Sequence, residues 1–174
     1  MGTARPVSSD VRRKKSKMAY IGQILVGPPE WAQPFADSPD GPSSADKPID
    51  IDHLTASTLA DLWCILIDDL SESSFRKAMN DITKEYCEKG GESWRCFVVL
   101  LPFELTKRLA NISLCERHII IQAWQYKCRW KENPPSESSL LRSLNAICLY
   151  ASKAIDTKQC LLMRVSENDR RTSR

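Results

Sequence analysis

At 174 residues, 42% hydrophobic and 27% charged, the chain has the length and composition of one globular domain. It is not collagen-like, coiled-coil or wholly disordered. No apolar run reaches the roughly 18 residues of a spanning helix, and a core of this size needs neither metal nor disulfide to hold it.

The net charge of +3 is unevenly spread. Residues 1–17 set Arg5, Arg12, Arg13, Lys14, Lys15 and Lys17 against Asp10, a net of +5; residues 166–174 add +1, which leaves the body at −3. So few apolar residues occur in 1–17 that the segment cannot offset its own ordering entropy, and a disordered basic tail is expected. Through Arg12, Arg13, Lys14, Lys15 and Lys17 such a tail can attract nucleic-acid phosphates or another anionic surface. Met18 is an alternative initiator. Arg12-Arg13 ahead of Tyr20–Val26 has the look of an export signal, but Gln23 breaks the apolar run, and Pro28-Pro29-Glu30-Trp31 stands where small residues belong.

Residues 19–26 alternate loosely and are rich in β-branched types, which predicts a strand. Residues 27–50 contain six prolines and read as a long Pro-rich loop that only Trp31 and Phe35 can anchor. Thr55 or Ser57 caps a predicted helix to about Leu70, with Leu59, Leu62, Trp63, Leu66 and Leu70 on one stripe; Asp68 and Asp69 fall at the wrong end of it for the helix dipole. Ser73 or Ser74 caps a second helix, with Phe75, Met79, Ile82 and Tyr86 in phase and Gly90-Gly91 as its stop. Trp94–Leu101 is the strongest strand signal, apolar enough to be covered on both faces. Pro102 opens a short helix. Ser113 and Glu116 stand at capping-box spacing for a helix to about Arg129. After Pro134-Pro135, Ser136 caps a last helix to about Ile155, and Gln159–Val165 predicts a closing strand parallel to Trp94–Leu101 through a right-handed crossover.

Signals for chemistry are sparse. His53 has Asp46, Asp50 and Asp52 nearby, but these types also belong to loops and helix starts. Cys115 and His118 share a helix face, yet a structural zinc site needs four ligands and no second pair is visible. No nucleophile elbow, phosphate loop, dinucleotide fingerprint or metalloprotease helix occurs, and no glycine follows Gly91. The seven cysteines are odd in number and mostly set in apolar runs, which points to free thiols in a reducing, cytoplasmic setting. Trp63 and Trp124 lie on helix stripes and belong to the core. Trp31 in the loop and Trp130 between Arg129 and Lys131 are placed where aromatics contact partners.

Val98-Val99-Leu100-Leu101-Pro102-Phe103-Glu104-Leu105, continuing to Arg108-Leu109-Ala110, resembles the V-x-x-L-P-x-E-L-x-x-x-L-A core of a group of small uncharacterised bacterial proteins. The resemblance extends over about residues 96–166, through a Trp-bearing helix (Trp124) to a closing helix and strand ending Leu161–Ser166. It implies a fold and a bacterial cytoplasmic setting but no activity. Where that group carries a glycine before the last strand, this chain has Asp156-Thr157-Lys158.

The expectation is therefore a single α+β domain over 18–166, a small mixed sheet of about three strands packed with about five helices, followed by a polar tail at 167–174. No catalytic, cofactor or metal residues are expected. The expected function is a non-enzymatic protein-interaction module of accessory or immunity type, with Trp31, Phe35, Arg129, Trp130 and Lys131 as partner-binding candidates. Nucleic-acid association through the tail is the alternative.

Overall fold

The computed structural model describes residues 19–43, 46–67, 69, 71–83, 86–91, 94–127 and 134–168. The chain runs β1 (Ala19–Gly27), a 3-10 turn (Pro29–Trp31), α1 (Ala32–Asp37), β2 (Ile49–Ile51), α2 (Ala56–Leu66), α3 (Glu72–Thr83), β3 (Tyr86–Gly91), β4 (Trp94–Leu100), α4 (Phe103–Ala110), α5 (Leu114–Lys127), α6 (Glu137–Thr157) and β5 (Cys160–Asn168). The α+β class holds, with six α-helices among the described residues.

The strand count exceeds the three expected. Four strands of six residues or more, plus the three-residue edge strand β2, form one sheet in the order β2-β1-β5-β4-β3. Every neighbouring pair is antiparallel. The parallel pairing expected for β4 and β5 is thus corrected: Phe97 lies opposite Val165 and Val99 opposite Met163 in an antiparallel ladder. Strand direction leaves no mark in an apolar pattern, because either orientation buries the same residues. The crossover rule is also weakly constraining when three helices intervene.

The second helix is shorter than expected. Gly90-Gly91 does not stop it; both residues belong to β3, with Gly91 opposite Trp94 in the pairing of β3 with β4. Tyr86, in phase with the helix stripe, is also in phase with a strand, and the local pattern cannot choose. The segment 27–50 is not a plain loop either. It contains the 3-10 turn, α1 and the start of β2. Glu167 and Asn168, assigned above to a tail, extend β5 opposite Tyr20 and Ala19.

Helix ends follow local chemistry. Thr55 and Thr58 form a reciprocal capping box at α2. Ser113 and Glu116 do so at α5, with Ser113 N donating to Glu116 Oε2 at 2.8 Å and Glu116 N donating to Ser113 Oγ at 3.3 Å. Helix α2 ends at Leu66, before the acidic pair that would oppose its dipole. Asp69 instead accepts from Ser71 N at 3.0 Å and from the Ser74 hydroxyl, at the start of α3. The Ser74 bond is the main reason the Asp69 carboxyl is held below its ordinary pKa. The α3 cap is Ser71, whose Oγ accepts from Ser74 N at 3.1 Å, not Ser73 or Ser74.

One face of the sheet is covered by a core drawn from α2 to α6. Helix α6 packs on β1 and β5, α4 and α5 pack on α6, and α2 packs on α3 and α5. The other face holds a smaller cluster of Leu25, Ala32, Phe35, Ala36, Val98 and Leu162 beneath α1. Central strand β5 is buried from Leu161 to Val165, and Cys96, Val98 and Val99 of β4 are buried, as double coverage requires.

Candidate functional site

The partner-binding candidates have separate fates. Phe35 is fully buried in the cluster under α1, so it supports the surface from within and presents none of its own. Trp31 is half-buried and packs on the same cluster. Its ring lies so close over Gly27 that a Cβ there would overlap it. The anchoring role read for both residues is thereby met. Arg129, Trp130 and Lys131, and the tail cations Arg12, Arg13, Lys14, Lys15 and Lys17, lie outside the described residues.

The acidic cluster around His53 is not assembled into a site. Asp46 pairs with Lys153 of α6, and Asp50 accepts from Gln23 Nε2 at 2.9 Å. His118 is within 3.7 Å of Glu137, and Cys115 beside it is exposed. Among the described residues no group of three or more His, Cys, Asp or Glu could hold a metal ion. Cys64, Cys96, Cys115, Cys148 and Cys160 form no disulfide. Burial raises the pKa of Cys64, with Lys127 partly opposing it and Asp61 and Asp69 adding to it; burial likewise raises Cys148.

The surface feature that sequence reasoning missed is α5. An ordinary surface helix has one apolar stripe and one polar face. Helix α5 buries Ile120, Ile121 and Trp124, with the Trp124 Nε1 donating to Thr58 O of α2 at 2.9 Å. On its opposite side Ile119 is 69% and Tyr126 96% exposed. With Cys115 and Gln122, also exposed, these residues form a stripe at i, i+4, i+7 and i+11. The doubled pattern was visible as Leu114, Ile119 and Tyr126 lying off the core stripe.

At its start α5 is tied to α6 by Arg117 Nη1 donating to Asn145 Oδ1 at 2.8 Å. One turn beyond that bond on each helix stand Leu114 and Leu149, both exposed. A separate groove of about 190 Å3 between the end of α2 and the start of α4 is lined by Trp63, Leu66, Ile67, Glu104, Leu105 and Arg108. Trp63 is therefore half-buried at a groove wall, and Trp124 alone of the two is a full core residue. No helix of the described residues is long and apolar enough to cross a membrane.

No protein-family model, curated protein or solved structure matches the chain.

Proposed function

We propose that this chain is a non-enzymatic, cytoplasmic interaction module of a bacterial cell that receives an apolar helix of a partner protein on the outer face of α5. The observation that supports this reading is the two-sided apolarity of α5. One side serves the core, and Ile119 and Tyr126 on the other cover nothing within the described chain. Their spacing is the one at which a second helix packs along the first. In the sequence Arg129, Trp130 and Lys131 follow shortly after Lys127, and an aromatic between cations suits a binding hot spot.

Site-specific photo-cross-linking in cells tests this. A photoreactive residue at Gln122 should give an adduct with a different protein, lost on Ile119→Asp or Tyr126→Ser and weakened by Trp130→Ala. The same probe at Gln33 should give none. No adduct from position 122, an identical adduct from position 33, or an adduct of twice the chain's own mass would overturn the proposal. The nucleic-acid alternative rests on the charge of 1–17. It predicts binding that falls steeply between low and moderate salt, whereas an apolar helix contact changes little.

A further inference from the structure

The groove between α2 and α4 continues along α4 into a second depression of about 240 Å3, lined by Glu104, Lys107, Arg108 and Asn111. The two share Glu104 and Arg108, so they form one open channel over α4. One end is apolar. Leu105 is buried at its base, Trp63 and Leu66 are half-buried, and Ile67 is 50% exposed. The other end is charged. Glu104 and Arg108 stand at i, i+4 in the order that favours an ion pair on a helix, yet that pair is not made. Arg108 Nη2 reaches Glu116 of α5 instead, at 3.3 Å. Among the described residues Glu104 and Lys107 have no ion-pair partner, and both are exposed.

The order of charges along the channel defines its complement. The apolar end takes one leucine- or phenylalanine-sized side chain as an anchor. Glu104 lines both depressions, so the group next to that anchor is a cation. Lys107 lines only the far depression, so the group beyond is an anion. Arg108 is already neutralised by Glu116. Glu104 and Lys107 are three residues apart, about 4.5 Å along the axis of α4 and close to one helical turn. We propose that the channel docks a helix of a partner protein that carries an acidic, a basic and an apolar residue at successive turns, laid antiparallel to α4. In that direction the partner's acidic residue precedes its basic one, the order that stabilises the partner helix itself, and the two helix dipoles run opposite ways. The channel shares no lining residue with the outer face of α5, so it stands or falls independently of the reading above.

The probe is an acetylated and amidated alanine-based peptide of about 16 residues, with Glu, Lys and Leu at successive four-residue intervals. Titrated into the full chain at low salt, it should shift the Ile67 and Leu105 methyl NMR signals saturably. Exchanging the peptide's Glu and Lys should weaken binding about fivefold or more, and replacing its Leu by Ala should abolish it. The double variant Glu104→Lys, Lys107→Glu should reverse the preference between the first two peptides. Glu104→Gln, a change at an exposed residue, should narrow that preference. Ile119→Asp on α5 should leave binding unchanged. Unmoved Ile67 and Leu105 signals, equal affinity for the two charge orders, an unaltered preference in Glu104→Gln, or loss of binding in Ile119→Asp would overturn the proposal. Tighter binding of a peptide with the order Leu, Lys, Glu would overturn the antiparallel assignment.

Discussion

The indole Nε1 of Trp124 donates to the main-chain carbonyl of Thr58 at 2.9 Å, joining α5 to the first turn of α2 across 66 positions of sequence. Both residues are buried, so the bond forms away from water, where an indole N–H needs a partner. Trp124→Phe removes the donor and part of the ring; the expected loss is about 1–2 kcal/mol. Trp124→Ala empties a core site and should cost about 3–5 kcal/mol. Urea denaturation of the two variants measures both. A loss near zero for Trp124→Phe would show that packing alone accounts for the residue.

Gly27 ends β1 directly beneath the Trp31 ring. Gly27→Ala should displace Trp31 and destabilise the chain by about 1–3 kcal/mol, as overpacking does. It should also move tryptophan emission to longer wavelength. In Trp31→Ala the ring is absent, so adding Gly27→Ala should cost little more. A double-mutant cycle with additive losses would contradict the contact.

Lys158 follows α6 with φ 54° and ψ 40°, and its N–H donates to the carbonyls of Ala154 and Ile155. This is the left-handed helix-end conformation that glycine adopts without steric cost. Lys158→Gly should therefore stabilise the protein by about 0.5–1 kcal/mol, a rise of about 2–4 °C in thermal midpoint per kcal/mol at this size. Lys158→Val should lower the midpoint. Calorimetry of the pair gives the sign.

Glu116 has its pKa lowered first by the Ser113 side chain, then by the Ser113 backbone N–H, then by Arg108. A carboxyl lowered in the folded state adds stability above its unfolded pKa, about 4.3, and that increment is lost as pH falls through the lowered folded value. Ser113→Ala removes the leading cause. The variant should be less stable than the parent at pH 7, and the gap should narrow as acid is added below about pH 4, leaving the pH-independent loss of the Ser113 cap. Chemical denaturation at a series of pH values tests this, and a gap that stays constant would refute it.

Thiol reactivity should follow burial. Cys115 is exposed, whereas Cys64 and Cys148 are buried with raised pKa values, and Cys96 is fully buried in β4. Brief alkylation of native protein followed by peptide mass spectrometry should label Cys115 first and leave Cys64, Cys96 and Cys148 nearly unmodified. Prior labelling of Cys64 would show that the end of α2 opens readily.

Where a residue's role was local, the sequence alone predicted it well. Ser113 with Glu116, Ser136 and Pro102 announced the three helix starts of the second half, and Val98-Val99 announced a doubly covered strand. What failed was either two-valued locally or decided at long range. Tyr86 and Gly90-Gly91 suit a helix with its stop as well as a strand, and only pairing with β4 decides between them. Phe35 stood both as an anchor of the Pro-rich loop and as a partner-binding candidate, and α1 places it fully buried against the sheet. The polar row from Asp50 through Gln23 to Arg164 joins residues far apart in sequence, and no local pattern announces it.

The order of strands has a consequence for how the protein is made. Strand β5 is synthesised after every other described element, yet it is the only strand that touches both β1 and β4. Until α6 has been translated, β1–β2 and β3–β4 can pair only as two separate antiparallel ribbons, each with an edge that lacks the same strand. Open edges of this kind recruit other chains. A stall shortly before Cys160 would leave nearly all the helices and neither half of the sheet joined. Such a nascent chain is expected to depend on chaperones until β5 emerges and slots between the ribbons.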